Sequence, residues 1–174
     1  VDRFSVSISH LTIEPGTQFY TRHKKGERLT GDADNIAVLY LLTEAVLKEK
    51  GLFAYEVSNY AKPGEASQHN LNYWQTGNWL GIGPGAHGRL TTKKGRYNRI
   101  NRRSPSGWLG SVNTAAGGMD TDSIEAPGDY FNEYWMMGLR LTNGVVWPEI
   151  GRFGDTSLQL NPNWLEAFIK EGWL

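Results

Sequence analysis

The sequence predicts an α/β fold, and three features of the 174 residues support that class. An alternating run at residues 4–14 and an apolar run at residues 52–61 are typical of strands, and the segment between them has helical periodicity. With 39% hydrophobic and 12% aromatic residues, the chain is long and apolar enough to bury a core. The short connections from strand to helix to strand predict a parallel crossover unit.

The elements of the first half are delimited by turn and capping residues. Pro15 and Gly16 end the first strand, and a loop carrying His23 is expected to follow. Asp32 or Asp34 then caps a helix that runs to about Lys50. Apolar residues recur at helical spacing along one face of this helix: Ile36, Leu39, Tyr40, Leu42, Ala45, Val46 and Leu47.

The second half is expected to change from strands to helices. A third strand at residues 79–83 breaks at Pro84, and Ser104 with Pro105 begins a helix. Residues 128–141, 145–154 and 161–173 are each predicted to contain a further helix. With no strand predicted beyond residue 101, the sequence divides into residues 1–100 and a small helical module at residues 101–174.

Composition excludes several classes of protein. Eighteen basic and eighteen acidic residues give a net charge of zero, which argues against binding nucleic acid. No apolar run approaches the ~20 residues of a membrane span and no signal peptide is present, so we expect a cytoplasmic protein without an integral membrane segment. The chain has no cysteine and therefore no thiolate for zinc or an iron–sulfur cluster. Both termini interrupt predicted elements, which indicates a fragment of a longer protein.

His69 is the first candidate for a ligand-binding residue. It begins the segment HNLNYW, in which Tyr73 and Trp74 follow after two asparagines. An imidazole can ligate haem iron, and aromatic rings can pack against a porphyrin. The alternative is a structural loop held by asparagine hydrogen bonds, with the two aromatic residues anchored in the core.

The glycine-rich segment GIGPGAHG, residues 81–88, is the second candidate. It lacks the pattern of a phosphate loop, but Gly81 and Gly83 would let a flat ligand approach the backbone at the end of a strand. His87 either faces the same cavity or forms a hydrogen bond within a turn.

Three other groups favour structural roles. His10 and Glu14 share a strand face and are interpreted as a hydrogen-bonded pair at the rim. The apolar cluster of Trp135, Met136, Met137 and Leu139 has the spacing of helix core packing. The basic run from Arg96 to Arg103 could contact haem propionates or nucleic acid, but it is better interpreted as a solvated linker.

Five blocks of the sequence together resemble one protein family. They are TIEPGT (12–17), YEVSNYAKPG (55–64), HNLNYW (69–74), WLGIGPGAH (79–87) and GLRLTNGV (138–145). In this order and spacing they are similar to the C-terminal half of the radical-SAM haem chaperones, also described as oxygen-independent coproporphyrinogen III oxidase-like proteins. Five ordered blocks are far more specific than any single one.

The resemblance implies a fold and a set of cofactors. Residues 1–100 would be the last strands and helices of a partial (β/α) radical-SAM barrel, and residues 101–174 the start of a helical module. Full-length members hold a [4Fe–4S] cluster on a CxxxCxxC motif and bind S-adenosylmethionine. That motif is absent here, so this chain alone is not expected to bind the cluster or cleave S-adenosylmethionine.

The resemblance also implies roles for individual residues. His69, with Tyr73 and Trp74, would take part in haem binding, His69 as an iron ligand and His87 as a second candidate. Ser58, Gly81 and Gly83 would lie at the S-adenosylmethionine pocket. The related oxidases are expected to have an acidic residue near Ser58, so its absence at that position weakens the case for oxidase chemistry.

Two functions follow as alternatives. A haem chaperone would bind haem and deliver it to haem proteins such as respiratory cytochromes. An oxidase would instead use S-adenosylmethionine to decarboxylate coproporphyrinogen III oxidatively to protoporphyrinogen IX. A third possibility is that this part of the protein is only a scaffold and has no affinity for porphyrin.

Overall fold

The computed structural model describes residues 5–9 and 11–172. The described strands are β1 (Ser5–Ser7), β2 (Phe53–Glu56), β3 (Asn59–Ala61), β4 (His87–Thr92), β5 (Gly95–Asn101) and β6 (Met119–Ile124). The described α-helices are α1 (Gln18–Lys24), α2 (Ala33–Glu49), α3 (Gln68–Trp74), α4 (Pro105–Val112), α5 (Pro127–Gly138) and α6 (Pro162–Lys170), and Ile150–Phe153 forms a 3₁₀ turn. The mixed α/β class predicted from the sequence is confirmed.

The described residues form two compact units. The first extends to Leu71 and includes Arg140–Gly144, and the second comprises Asn72–Leu139 and the chain from Val145 onward. Each unit contains one three-stranded sheet, in the order β1-β3-β2 in the first and β4-β5-β6 in the second. Both sheets are antiparallel.

Helix α2 of the first unit begins and ends as predicted. The Asp32 side chain accepts a hydrogen bond from the Asn35 N–H at 2.9 Å, and Gly51, with a positive φ, follows the last turn. Its apolar residues, however, do not share one environment. Ile36, Tyr40 and Leu47 are half-buried, whereas a second set is largely exposed: Val38, Leu39, Leu41, Leu42 and Val46.

Several predictions for the first unit are wrong. The first strand is confined to Ser5–Ser7 among the described residues, and His23 lies in helix α1, which Thr17 caps, rather than in a loop. The run at residues 52–61 is a hairpin of β2 and β3. Strands β1 and β2 run parallel, as predicted, because each pairs antiparallel with β3. They are not neighbours, however, since β3 lies between them. The predicted pair of His10 with Glu14 involves a residue outside the described ones.

The core of the second unit is aromatic and lies on helix α5. Of the cluster predicted to pack there, Trp135 is buried, whereas Met136 and Leu139 are 57% and 52% exposed. Tyr130, Phe131, Tyr134 and Trp135 are buried against Phe153 of the 3₁₀ turn. Their rings meet edge to face, for example Phe131 and Phe153 with centroids 5.2 Å apart.

Three predictions for the second unit are wrong. Residues 79–83 form no strand, and only an isolated bridge joins Trp79 to Arg89. The basic run predicted as a solvated linker instead contains strand β5, where Arg96 is 2% exposed. Strand β6 interrupts the helices predicted beyond residue 101. Strand β5 forms a hairpin with β4 across a turn at Lys93 and Lys94, and the charged, polar composition of the segment did not indicate it.

Candidate functional site

The HNLNYW segment forms helix α3 and not the predicted loop. The helix begins where the Asn70 N–H lies 3.4 Å from Ser67 Oγ, and the Leu71 N–H donates to the Ser67 carbonyl. His69 lies in its first turn and is exposed to solvent. An exposed imidazole on a helix is accessible to an iron centre brought to the surface.

Tyr73 and Trp74 lie in the last turn of α3 and are half-buried. The Tyr73 ring packs edge to face on Trp79, with centroids 4.6 Å apart. In the turn that follows the helix, the Thr76 N–H donates to the Tyr73 carbonyl and the Gly77 N–H donates to the Asn72 carbonyl. Tyr73 is therefore fixed by packing within the second unit, which agrees with the structural alternative for this aromatic residue.

His87 begins strand β4 and is exposed. Its carbonyl oxygen accepts a hydrogen bond from Trp79 Nε1 at 3.1 Å. The two candidate histidines are thus on different elements, and the structure assigns His69 to the first unit and His87 to the second.

Gly81 packs closely against the backbone of strand β4, whereas the space beside Gly83 is open. A Cβ at Gly81 would lie 2.6 Å from the carbonyl carbon and oxygen of His87, and Gly83 has a φ of 103°. The Asn101 side-chain amide donates to both glycine carbonyls, at 3.2 and 2.9 Å. Close backbone approach therefore requires glycine at position 81 without any ligand.

A cleft of about 660 Å³ lies beside these glycines in the second unit. Leu80 and Ile82, 72% and 85% exposed, contribute an apolar wall, and Lys93 and Lys94 contribute cations. Such a surface suits an apolar molecule that carries carboxylates.

Ser58 lies in the turn of the first unit's hairpin and helps to line a cavity of about 310 Å³ together with Tyr40 and Tyr60. The acidic residue that sequence analysis missed is Glu56, which is completely buried. Its Oε2 accepts a hydrogen bond from the Ser58 N–H at 3.1 Å, and its Oε1 accepts one from the Asn59 side chain. Burial is also the main cause that raises the pKa of Tyr60.

A buried ionic cluster in the second unit was also missed. Arg96 Nε lies 3.3 Å from Glu125 Oε2, and Arg89 Nε lies 2.9 Å from Glu125 Oε1, with Glu133 beside both arginines. The charges in these ion pairs are close together, but Arg89 Nε, Arg96 Nε and Glu125 Oε2 form no hydrogen bond. Desolvation, followed by the charge of Glu133, raises the pKa of Glu125, and desolvation lowers the pKa of Arg96.

The chain's own residues restrict which cofactors it can hold. With no cysteine, it supplies no thiolate for an iron–sulfur cluster, and no group of three His, Asp or Glu side chains in residues 5–9 and 11–172 is arranged to hold a metal ion. Exposed His69 and His87 are compatible with axial ligation of haem iron, which needs only one imidazole. Within the described part of the chain, no helix is long and apolar enough to cross a bilayer.

Comparison with known proteins gives two groups of relatives. The chain is 36% identical over 145 residues to the cow protein "Radical S-adenosyl methionine domain-containing protein 1, mitochondrial", covering 81% of this chain and 33% of that protein. It is 41% identical over 105 residues to "Heme chaperone HemW" of Escherichia coli, covering 60% of this chain and 27% of that protein. The chain belongs to the radical-SAM, HemW-like family.

A third relative extends the match within this family. "Heme chaperone HemW" of Buchnera aphidicola is 33% identical over 174 residues, covering 97% of this chain and 43% of that protein. The chain spans about a third of the length of the first curated relatives it matches. No family model and no solved structure matches it.

Proposed function

We propose that this chain is part of a cytoplasmic haem chaperone, which binds haem and passes it to haem proteins such as respiratory cytochromes. The observation that carries the proposal is helix α3, which presents an exposed His69 one turn before the half-buried Tyr73 and Trp74. The name carried by the HemW relatives supports haem as the ligand.

Each residue of α3 has a distinct part in the proposal. The imidazole of His69 supplies one lone pair to the haem iron, and its exposure allows a recipient protein's ligand to replace it. Tyr73 and Trp74 supply aromatic surface for the macrocycle. His87 is the alternative ligand.

The S-adenosylmethionine and [4Fe–4S] cofactors belong to the proposal for the complete protein. Ser58, Gly81 and Gly83 are the candidates for contacts with S-adenosylmethionine, and buried Glu56 holds the Ser58 turn in place. A partial (β/α) barrel at residues 1–100 and a separate module at residues 101–174 stay predictions. The cluster would need cysteines from elsewhere in such a protein, because this chain has none.

A haem titration followed by visible absorption tests the proposal. The 174-residue chain is expected to give the Soret band of ligated haem, and His69→Ala is expected to abolish it. His23→Ala, which removes another exposed histidine on helix α1, is the matched control and should bind like the wild type.

Two results would contradict the proposal in different ways. If His69→Ala binds haem unchanged and His87→Ala does not, His69 is not the ligand. If the wild-type chain binds no haem, the haem site does not lie in these residues.

A further inference from the structure

The Arg96 guanidinium donates hydrogen bonds to peptide carbonyls in the turn that follows helix α3. Its Nη1 donates to the Thr76 carbonyl at 3.0 Å, and its Nη1 and Nη2 lie 3.4 and 3.3 Å from the Gly77 carbonyl. The N–H groups of Thr76 and Gly77 bond in turn to the Tyr73 and Asn72 carbonyls. One guanidinium therefore holds the two residues that close the last turn of the helix.

The backbone at Thr76 and Gly77 needs stabilising contacts from residues outside the turn. Thr76 has a φ of 51°, a left-handed conformation that a β-branched residue rarely adopts. Gly77 packs so closely that an added Cβ would lie 2.0 Å from Asn72 Oδ1. Such a turn persists when surrounding contacts fix it, and Arg96 supplies contacts to both residues.

Arg96 is itself held in place from several sides. Its side chain is fully buried, between the carboxylates of Glu125 and Glu133 and above the Tyr130 ring, whose centroid is 4.9 Å from Cζ. A buried guanidinium is stable only when its charge is compensated, and these two carboxylates provide that compensation. Its Nη1 also lies 3.1 Å from Thr91 Oγ1.

We propose that Arg96 is a positioning residue for the aromatic end of α3: it fixes the last turn of the helix and thereby the placement of Tyr73 and Trp74 for haem. The haem part of this inference rests on the proposed function. The structural part, a tie from Arg96 to residues 76 and 77, is independent of any ligand.

Lysine cannot replace arginine in this role. A guanidinium is a planar fork whose two terminal nitrogens reach different acceptors, whereas an ammonium is a single point charge on a flexible stem. Arg96→Lys keeps the positive charge beside Glu125 and Glu133 but loses the fork. The substitution thus separates geometry from charge.

The test uses Arg96→Lys and the matched control Arg99→Lys in the same strand. Arg99 forms an ion pair with Asp122 and is about half exposed. Amide hydrogen exchange is measured without haem at Thr76 and Gly77, and at Leu139, whose N–H ends helix α5. Haem affinity and the Soret maximum are then measured for each variant.

Arg96→Lys is expected to speed exchange at Thr76 and Gly77 by about tenfold, with Leu139 unchanged, because only the local turn opens. The haem dissociation constant should rise by about tenfold, and the Soret band should shift, because the aromatic contacts move. Arg99→Lys should leave amide exchange at Thr76, Gly77 and Leu139 as in the wild type.

A second variant keeps the proposal testable if Arg96→Lys does not fold. Thr91→Val keeps the shape of an exposed strand residue and removes only one neighbour of Nη1. It should speed exchange at Thr76 by about threefold, again without effect at Leu139.

Unchanged exchange at Thr76 and Gly77 in both variants would overturn the structural part. Faster exchange with unchanged haem affinity and an unchanged Soret band would overturn the positioning role. If the wild type binds no haem, the proposed function fails, and the exchange data alone decide whether Arg96 ties the turn.

Discussion

Adding a single methyl group at Gly81 tests how closely residues 79–83 approach strand β4. In Gly81→Ala the new Cβ would lie 2.6 Å from the His87 carbonyl carbon and oxygen and 3.0 Å from the carbonyl carbon of Ala86. Ordinary carbon contacts are about 3.5–4.0 Å, so one backbone segment must move by roughly 1 Å. Paired hydrogen bonds between Trp79 and Arg89, 2.9 and 3.0 Å long, resist that movement.

The expected cost follows from these distances. Overpacking costs typically ~1–3 kcal/mol, and a clash with backbone belongs at the upper end because no side-chain rotation relieves it. We therefore expect Gly81→Ala to lower the free energy of unfolding by about 3 kcal/mol. With a urea slope of about 2 kcal/mol per molar, the midpoint falls by roughly 1.5 M.

Tryptophan fluorescence during urea unfolding is a selective assay, because all seven tryptophans lie within the residue ranges of the second unit. Gly110→Ala is the matched control: Gly110 is an exposed residue of helix α4 with no atom within 4 Å of the added Cβ. It should raise stability by ~0.5–1 kcal/mol. A midpoint for Gly81→Ala equal to that of the wild type would refute the close approach.

Three further predictions concern stability. Tyr134→Phe removes a 2.6 Å hydrogen bond to a backbone carbonyl and should lower the urea midpoint, with a cost of about 1 kcal/mol. Asp32→Ala removes the cap of α2 and should cost about 1 kcal/mol, seen as faster amide exchange in its first turn while α5 is unaffected. Glu125→Gln tests the pH dependence of the buried cluster. The pKa of Glu125 in the folded protein is raised above 4.5, so the folded state holds this proton more tightly than the unfolded state does. The contribution of Glu125 to the free energy of unfolding therefore falls as the pH rises from 4.5 through the raised pKa. The stability of Glu125→Gln relative to the wild type should therefore increase with pH across this interval. If the urea midpoints of the variant and the wild type change with pH by the same amount, the raised pKa of Glu125 is contradicted.

The sequence predicted those elements that are stabilised by contacts between residues close together in the chain. The cap of α2 needs only Asp32 and a backbone N–H three residues later, and helix α5 covers most of the segment predicted for it. The hairpin at residues 52–61 was not predicted, since its turn has no glycine or proline and is held by the buried carboxylate of Glu56.

The role of Arg96 could not be read from its neighbours in the sequence. A basic, polar segment normally indicates solvent exposure, but the compensating carboxylates are at positions 125 and 133. For the candidate site, the sequence predicted His69, Tyr73 and Trp74 as a group, and the structure places them on one helix. Their role in haem binding stays a prediction.

The exposed apolar residues of α2 have a consequence for handling the chain. Val38, Leu39, Leu41, Leu42 and Val46 expose between 48% and 63% of their surface on a single 17-residue helix. Contiguous apolar surface of this kind promotes self-association and aggregation. Light scattering should therefore rise steeply with protein concentration, and a nonionic detergent below its micellar concentration should suppress the rise.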